Sequence, residues 1–369
     1  MFRHKRKIAK ILFFGSIFAL FGLIYSLLEK ALLGPLDYYP ATGNPYHFVN
    51  TTIITTLGAL VLGLILGAFE VYVANRFFAK GTFWGKVSTK TIIYIVSLSL
   101  FFILATMGAS SAAMQKPIWD SQVLDDAYLF VTNFAFGALL IYAGAIISLI
   151  LFILDMSDNI GQQVVTNFLL GRYHRPLVEE RIFMFLDMKS STTIAEKLGH
   201  HQYFKLLRTY YSLMTDPILK SKGEIYQYVG DELVISWRAD DGFKDLNFLR
   251  CFFNIKQLFK EQDQLFKDDF GLVPTFKAGI HYGEVTSGEI GQIKKEVLFT
   301  GDVLNATARV QSLCNENSVD LLVSEELLEQ FDLPQSFQKE EIGEYELRGR
   351  VTRMKLYTLS EYNQSVSLS

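Results

Sequence analysis

Four stretches of this chain contain no Asp, Glu, Lys or Arg: residues 11–28, 51–69, 91–115 and 127–154. A helix that crosses a bilayer needs about 20 mostly apolar residues. It must also satisfy its own backbone hydrogen bonds, because lipid offers none. Each stretch reaches that length or nearly so, the first two with help from their neighbours. No comparable stretch follows Leu154. The sequence therefore predicts a four-helix, all-α membrane region over residues 1–154 and a soluble region after it.

The charged residues between the stretches suggest an orientation. Residues 1–10 carry Arg3, Lys5, Arg6, Lys7 and Lys10, and a loop over 75–90 carries Arg76, Lys80, Lys86 and Lys90. The 29–50 and 116–126 loops hold one basic residue each, Lys30 and Lys116. Basic loops face the cytoplasm, so both termini are expected there, in an inner (plasma) membrane. The first apolar run is longer than a signal-peptide core and no small-x-small site follows it, so it is expected to be retained. The outer loops are short, with Tyr38-Tyr39-Pro40 and Trp119-Asp120 as their main features. Any stimulus would then be read by the helices, by these loops or by membrane lipid. Glu70, near the inner end of the second span, reads either as a functional intramembrane carboxylate or as a side chain that reaches to the interface. Ala59, Gly63, Gly67, Gly137 and Gly144 predict close helix packing.

Residues 155–176 read as a linking helix that continues the fourth span. Ile160, Val164, Phe168 and Leu169 share roughly one face, and Gly171 and Pro176 mark its end. It serves either to pair with its twin in a dimer or as a spacer. A net charge of -3 argues against a general nucleic-acid partner. Cys251 and Cys314, the only cysteines, form no ligand cluster and read as reduced thiols.

From Arg181 the pattern changes to alternating strands and helices. A buried strand over 182–186 ends at Asp187, and helical spacing covers 192–198 and 203–219. Strands over 224–229 and 232–237 flank a Gly230-Asp231 turn, the signal of a β-hairpin. A helix over 244–266, a strand over 274–282, a glycine-rich bend (Gly283, Gly288, Gly291) and a short strand over 296–300 follow. A helix from Asp302 to about Cys314 and strands near 319–323, 338–346 and 352–359 complete the order. This order fits an α+β ferredoxin-like (palm-type) sandwich with additions.

That order brings Asp187 and Asp231 to neighbouring strand ends. Two such carboxylates cannot both stay ionised without a cation, and hard divalent ions are the usual remedy. Lys189, Ser190, Ser191 and Thr192 follow Asp187 at the start of a helix, where free N–H groups can seat a phosphate. Metal carboxylates beside a phosphate seat point to phosphoryl or nucleotidyl transfer. On the helix opened by Asp302, Asn305 and Arg309 lie one turn apart on one face. They read as an ordinary surface pair within one subunit, or as donors to a second copy in a two-fold dimer.

These residues resemble the catalytic domain of class III nucleotidyl (adenylate/guanylate) cyclases over about 180–360. The resemblance rests on FLDMKSST at 185–192, YVGDEL at 228–233, AGIHYG at 278–283 and GDVLNATAR at 301–309. It implies a membrane-bound bacterial cyclase with catalytic domain 177–369, which converts a nucleoside triphosphate to its 3′,5′-cyclic monophosphate and pyrophosphate. By the same resemblance, Asp187 and Asp231, with the backbone of Met188, would hold two Mg²⁺ or Mn²⁺ ions per site. Asn305 and Arg309 of the other chain of a homodimer would be catalytic. Arg348 or Arg350 would hold the terminal phosphates. Adenylate and guanylate members commonly carry Lys or Glu where this chain has Gln227, and Asp/Thr or Cys where it has Leu298. A Gln amide both donates and accepts, so ATP is the expected substrate with GTP as the alternative. Two further readings are weaker: a degenerate receptor or scaffold, and a diguanylate cyclase. The scaffold does not explain an intact Asp, Asp, Asn and Arg set. The diguanylate cyclase signature needs a glycine where Val229 stands.

Overall fold

The computed structural model describes residues 2–38, 46–74, 77, 82–160, 173–293, 295–346 and 353–362. The chain divides into two compact units, Met1–Leu169 and Leu170–Ser369.

The first unit is helical. Its helices are α1 (Phe2–Leu33), α2 (Phe48–Phe69), α3 (Phe83–Met114), α4 (Ser121–Thr132) and α5 (Phe134–Ile160). Four spans, within α1, α2 with its extension, α3 and α5, are long and apolar enough to cross a membrane. The helices bury Phe14, Phe18, Leu66, Tyr94, Ile147 and Ile150 against one another. Large apolar side chains such as Ile54, Ile65, Ile92 and Leu104 remain exposed, as an all-round apolar helix leaves them when lipid is its solvent.

The glycines act within the chain. A Cβ on Gly63 would lie 2.7 Å from Phe18 Cβ, and one on Gly67 2.8 Å from Phe14 Cβ. The Gly63-x-x-x-Gly67 stripe thus lets α2 lie directly on α1. Gly144 serves α5 in the same way against Ile95, whereas nothing lies within 4 Å of a Cβ on Gly137.

Three sequence expectations change here. The charge-free stretch 127–154 is two helices rather than one, because Asn133 adopts an extended conformation and its Oδ1 accepts from the Ala135 N–H at 2.8 Å. The Asn133 side chain therefore stops α4 and caps α5. The 75–90 loop is shorter than its charges suggested, since Thr82 caps α3 and places Lys86 and Lys90 inside the helix. Glu70 does not extend into solvent. It is 4% exposed, opens a π-helical turn (Glu70–Ala74), and bonds Lys90 Nζ and the Tyr94 hydroxyl at 2.5 Å each. Of the expected linking helix, residues up to Ile160 continue α5, and 161–172 lie outside the described residues.

The second unit is built on one eight-stranded sheet in the order β2-β3-β1-β4-β6-β8-β7, with β5 paired to β4. Its strands are β1 (Leu177–Met188), β2 (Glu224–Val229), β3 (Glu232–Arg238), β4 (Phe276–Ile290), β5 (Glu296–Thr300), β6 (Leu321–Ser324), β7 (Phe337–Tyr345) and β8 (Met354–Glu361). Among the described residues, only the β4–β6 pair is parallel. The helices are α6 (Ser191–Lys220), α7 (Ala239–Phe243), α8 (Asn247–Glu261), α9 (Asp263–Phe270), α10 (Asp302–Glu316) and α11 (Glu325–Leu328).

Strand alternation sorts β1 between two cores. Ile182, Met184, Leu186 and Met188 pack with Leu206, Tyr210, Met214, Phe248 and Phe252 of α6 and α8. Phe183 and Phe185 face the other way, onto Val285, Phe299 and Val303. Asp187, the next residue in that alternation, falls on the same side as α10.

The helical spacing over 192–198 and 203–219 is borne out as two helical segments of α6, separated at Gly199, whose φ of +72° and ψ of +160° are not helical. The 244–266 helix is instead α8 and α9, broken at Gln262. The expected bend does not come at Gly283 or Gly288 but only at Gly291, whose φ is +92°. β4 runs on through Gly283 and Gly288, because pairing to β1 and then β5 supplies its ladder bonds. Cys251 and Cys314 are free and buried. Burial pushes each thiol up to about 12.

Candidate active site

β1 ends at Met188, and α6 starts at Ser191, so Asp187 lies directly beside a helix N-terminus. β3 lies on one side of β1, with Leu186 opposite Leu233. The β2–β3 turn, Gly230-Asp231, thus falls next to the end of β1. Gly230 has φ +65°, which glycine adopts without cost. The Tyr211 hydroxyl donates to the Gly230 carbonyl at 2.8 Å and fixes the tip. The carboxyls of Asp187 and Asp231 come within hydrogen-bonding reach of each other.

β4 lies on the other side of β1 and places Lys277 opposite Asp187. Lys277 Nζ is 3.4 Å from Asp187 Oδ2, and Gln311 Nε2 of α10 donates to that oxygen at 3.1 Å. Partial burial raises the Asp187 pKa, and the Asp231 carboxyl adds to the rise, which Lys277 and Gln311 oppose in part. Glu232 is raised too, by burial first and then by the same two aspartates. Three carboxylates therefore crowd one cationic side chain. Among the described residues no cluster of three His, Cys, Asp or Glu forms a closed metal cage. An aspartate pair open on one side suits a hard divalent ion that completes its shell with a ligand's oxygens.

The start of α6, where the sequence leads one to expect a phosphate seat, follows directly on β1. Ser190 adopts left-handed φ/ψ (+55°, +32°), unusual for a residue other than glycine. Its side chain does not cap α6. First-turn N–H groups near Ser191 and Thr192 therefore have no side-chain acceptor from Ser190 and remain open to an anion. Lys189 departs from the simple picture, because its ammonium sits 2.6 Å from Asp320 Oδ1. Burial works to raise Asp320, but hydrogen bonds from Lys189 and Lys256 hold it below the ordinary carboxylate range.

Asn305 and Arg309 are not brought to Asp187 of the same chain. At about 100° per residue, Gln311 points some 160° away from Arg309 and about 120° away from Asn305 around the helix axis. Gln311 meets Asp187, so the other two face outward. Asn305 is exposed and Arg309 half-buried. Among the described residues neither side chain has a hydrogen-bond or ion-pair partner.

Gln227 is exposed on β2, and Leu298 is half-buried on β5. Their neighbours join the two strands. The Phe299 N–H donates to the Tyr226 hydroxyl at 3.4 Å, and the two rings are 4.9 Å apart. A bulge in β2 at Tyr226 makes this possible. Arg348 and Arg350 lie outside the described residues.

Lys277 and Gln311 escaped the sequence reading. Lys277 needed the β1–β4 register to be known. Gln311 had a legible signal, because it is a polar side chain inside the buried stripe of Val303, Ala306, Thr307, Val310 and Cys314.

Residues 176–361 match the family model described as the Adenylate and Guanylate cyclase catalytic domain. The chain is 32% identical over 341 residues to Adenylate cyclase 2 of Rhizobium meliloti (strain 1021), covering 91% of each. It is 24% identical over 163 residues to an adenylate cyclase of Anabaena cylindrica, covering 42% of this chain and 31% of that one. Among solved structures, the adenylyl cyclase CyaB from P. aeruginosa matches at a TM-score of 0.45 and 18% identity, covering 52% of this chain and 98% of that one.

Proposed function

Because the chain belongs to the family of adenylate and guanylate cyclase catalytic domains, we propose that it is a membrane-anchored adenylate cyclase. It makes 3′,5′-cyclic AMP and pyrophosphate from ATP at sites shared by two copies of the chain. The observation that carries this reading is the meeting of Asp187 and Asp231 beside Lys277. In this reading residues 1–154 are the membrane domain, 155–176 the linking helix and 177–369 the catalytic domain. Both termini are cytoplasmic, in the inner membrane, as the basic residues of the N-terminus suggest.

Asp187 and Asp231 would hold Mg²⁺ or Mn²⁺, two ions per site, with the Met188 carbonyl nearby. Such ions, when bound, make the ribose 3′-hydroxyl more acidic and neutralise triphosphate charge. The 3′-oxygen attacks the α-phosphorus and pyrophosphate leaves. Lys277 brings a fixed positive charge to the same pocket, and the open N–H groups near Ser190, Ser191 and Thr192 receive phosphate oxygens. Lys189, tied to Asp320, shapes this turn. Asn305 and Arg309 act on the partner's nucleotide, Asn305 on the ribose and Arg309 on the charge growing at the α-phosphate. Their outward direction supports this assignment. Arg348 or Arg350 takes the terminal phosphates. Gln227 and Leu298 read the base, where Gln227 can pair with adenine in one amide orientation.

The test is purified full-length protein in lipid nanodiscs with Mn²⁺ and either ATP or GTP, with products identified by mass spectrometry. Cyclic AMP as the main product supports the proposal. Cyclic GMP would transfer it to GTP, and a cyclic dinucleotide or no product from either nucleotide would sink it.

A further inference from the structure

Gln311 is 5% exposed, and its amide N–H bonds Asp187 Oδ2 at 3.1 Å, the oxygen that also faces Lys277 at 3.4 Å. The contact lies where α10 presses closest on the sheet. A Cβ on Gly279 of β4 would sit 2.3 Å from the Gln311 nitrogen and 2.7 Å from its Cα. The backbone that carries the Gln311 side chain is therefore seated directly on the strand next to β1.

We propose that Gln311 is a positioning residue for the metal-binding carboxylate of its own chain. This rests on the cyclase reading of the site. Asp187 sits beside another carboxylate, and without a hold besides Lys277 it would rotate away from Asp231. A second charged donor, at the Gln311 position beside Lys277, would hold it but cancel the negative charge a cation needs. A neutral amide fixes Oδ2 and leaves the charge in place. Hydrogen bonds to charged groups are also stronger than neutral ones. Because α10 cannot approach the sheet further, the amide defines where that oxygen stands.

Gln311→Met keeps the side-chain length and removes the donor. With the full-length protein in nanodiscs and no nucleotide, Mn²⁺ binding is read by electron paramagnetic resonance. The variant is expected to bind Mn²⁺ about ten- to a hundredfold more weakly, the range for losing a hydrogen bond to a charged group. Should the Met variant not fold, Gln311→Ala gives the same readout without risk of overpacking. Unchanged Mn²⁺ affinity in either folded variant overturns the role of Gln311. Absence of Mn²⁺ binding by the unmodified protein overturns the metal reading beneath it.

A second arm separates positioning from simple helix packing. Arg309→Ala and Asp187→Ala chains are mixed, so that each mixed dimer has one complete site. Adding Gln311→Met to the Arg309→Ala chain, which supplies the working carboxylates, should lower the rate at least about threefold more than adding it to the Asp187→Ala chain. Equal losses would assign Gln311 to the packing of α10 alone and overturn the proposal.

Discussion

Glu70 in the helical unit and Asp187 in the sheet unit are both carboxylates drawn out of water, and their surroundings differ in sign. Glu70 is met by an ammonium and a phenol, Lys90 and Tyr94, each at 2.5 Å. Asp187 is met by another carboxyl, Asp231, and by one ammonium, Lys277, at 3.4 Å. A buried pair of opposite charges satisfies itself and holds helices together. A pair of like charges leaves a deficit that a ligand must fill. The same residue type thus acts as a fastener in one unit and as a binding demand in the other.

The largest expected effect tests the demand. Asp187→Ala or Arg309→Ala alone should lower cyclase activity at least about a thousandfold, with the melting temperature of the protein nearly unchanged. An equal mixture of the two chains should recover about a quarter of the unmodified activity, because half of randomly paired dimers carry one of two sites. Failure to recover would refute the shared-site arrangement.

The fastener should fail differently. Glu70→Ala leaves Lys90 without its acid inside the bundle and is expected to destabilise the helical unit by about 3–5 kcal/mol, read from unfolding in detergent. The double variant Glu70→Leu, Lys90→Leu should regain most of that loss. If the double variant is no better than the single one, the pair does more than neutralise itself.

Glycine contacts compare the two units on equal terms. Gly279→Ala must push α10 off the sheet, since its Cβ would lie 2.3 Å from backbone, and Gly63→Ala must part α1 from α2 at 2.7–2.8 Å. Each should cost about 1–3 kcal/mol. Only Gly279→Ala should also reduce activity, by about tenfold, because α10 carries Asn305, Arg309 and Gln311. Gly58→Ala, with nothing within 4 Å, is the control and should be neutral in both assays.

The smallest effect is in pH. Asp187 holds its proton more tightly in the folded protein than a free carboxyl does. Its contribution to metal-free stability is then present at low pH and fades as pH rises through the raised pKa. Mn²⁺ competes with that proton, so stabilisation by Mn²⁺ should grow over the same interval above the ordinary carboxylate range. Melting curves with and without Mn²⁺ across that interval check this, and an Mn²⁺ effect flat with pH would count against Asp187 as the ligand.

The sequence by itself determined a good deal. The four apolar spans follow from lipid's refusal of unpaired backbone groups, which any reader of composition can apply. The Gly230-Asp231 hairpin and the strand ending at Asp187 follow from local periodicity and turn chemistry, and both were legible in place. Asn305 and Arg309 were found on one helical face by spacing alone. What only the tertiary structure decided depends on partners distant along the chain. Lys277 meets Asp187 through strand register, and Gln311 meets it because Gly279 lets α10 sit on β4. Lys90 looked like a loop charge until α3 carried it to Glu70. Asn133 looked like part of one long span until its side chain capped a new helix. Local pattern records what a segment can form. Which charge ends beside which is decided by packing between segments, and that is where this molecule separates its structural carboxylate from the one proposed for catalysis.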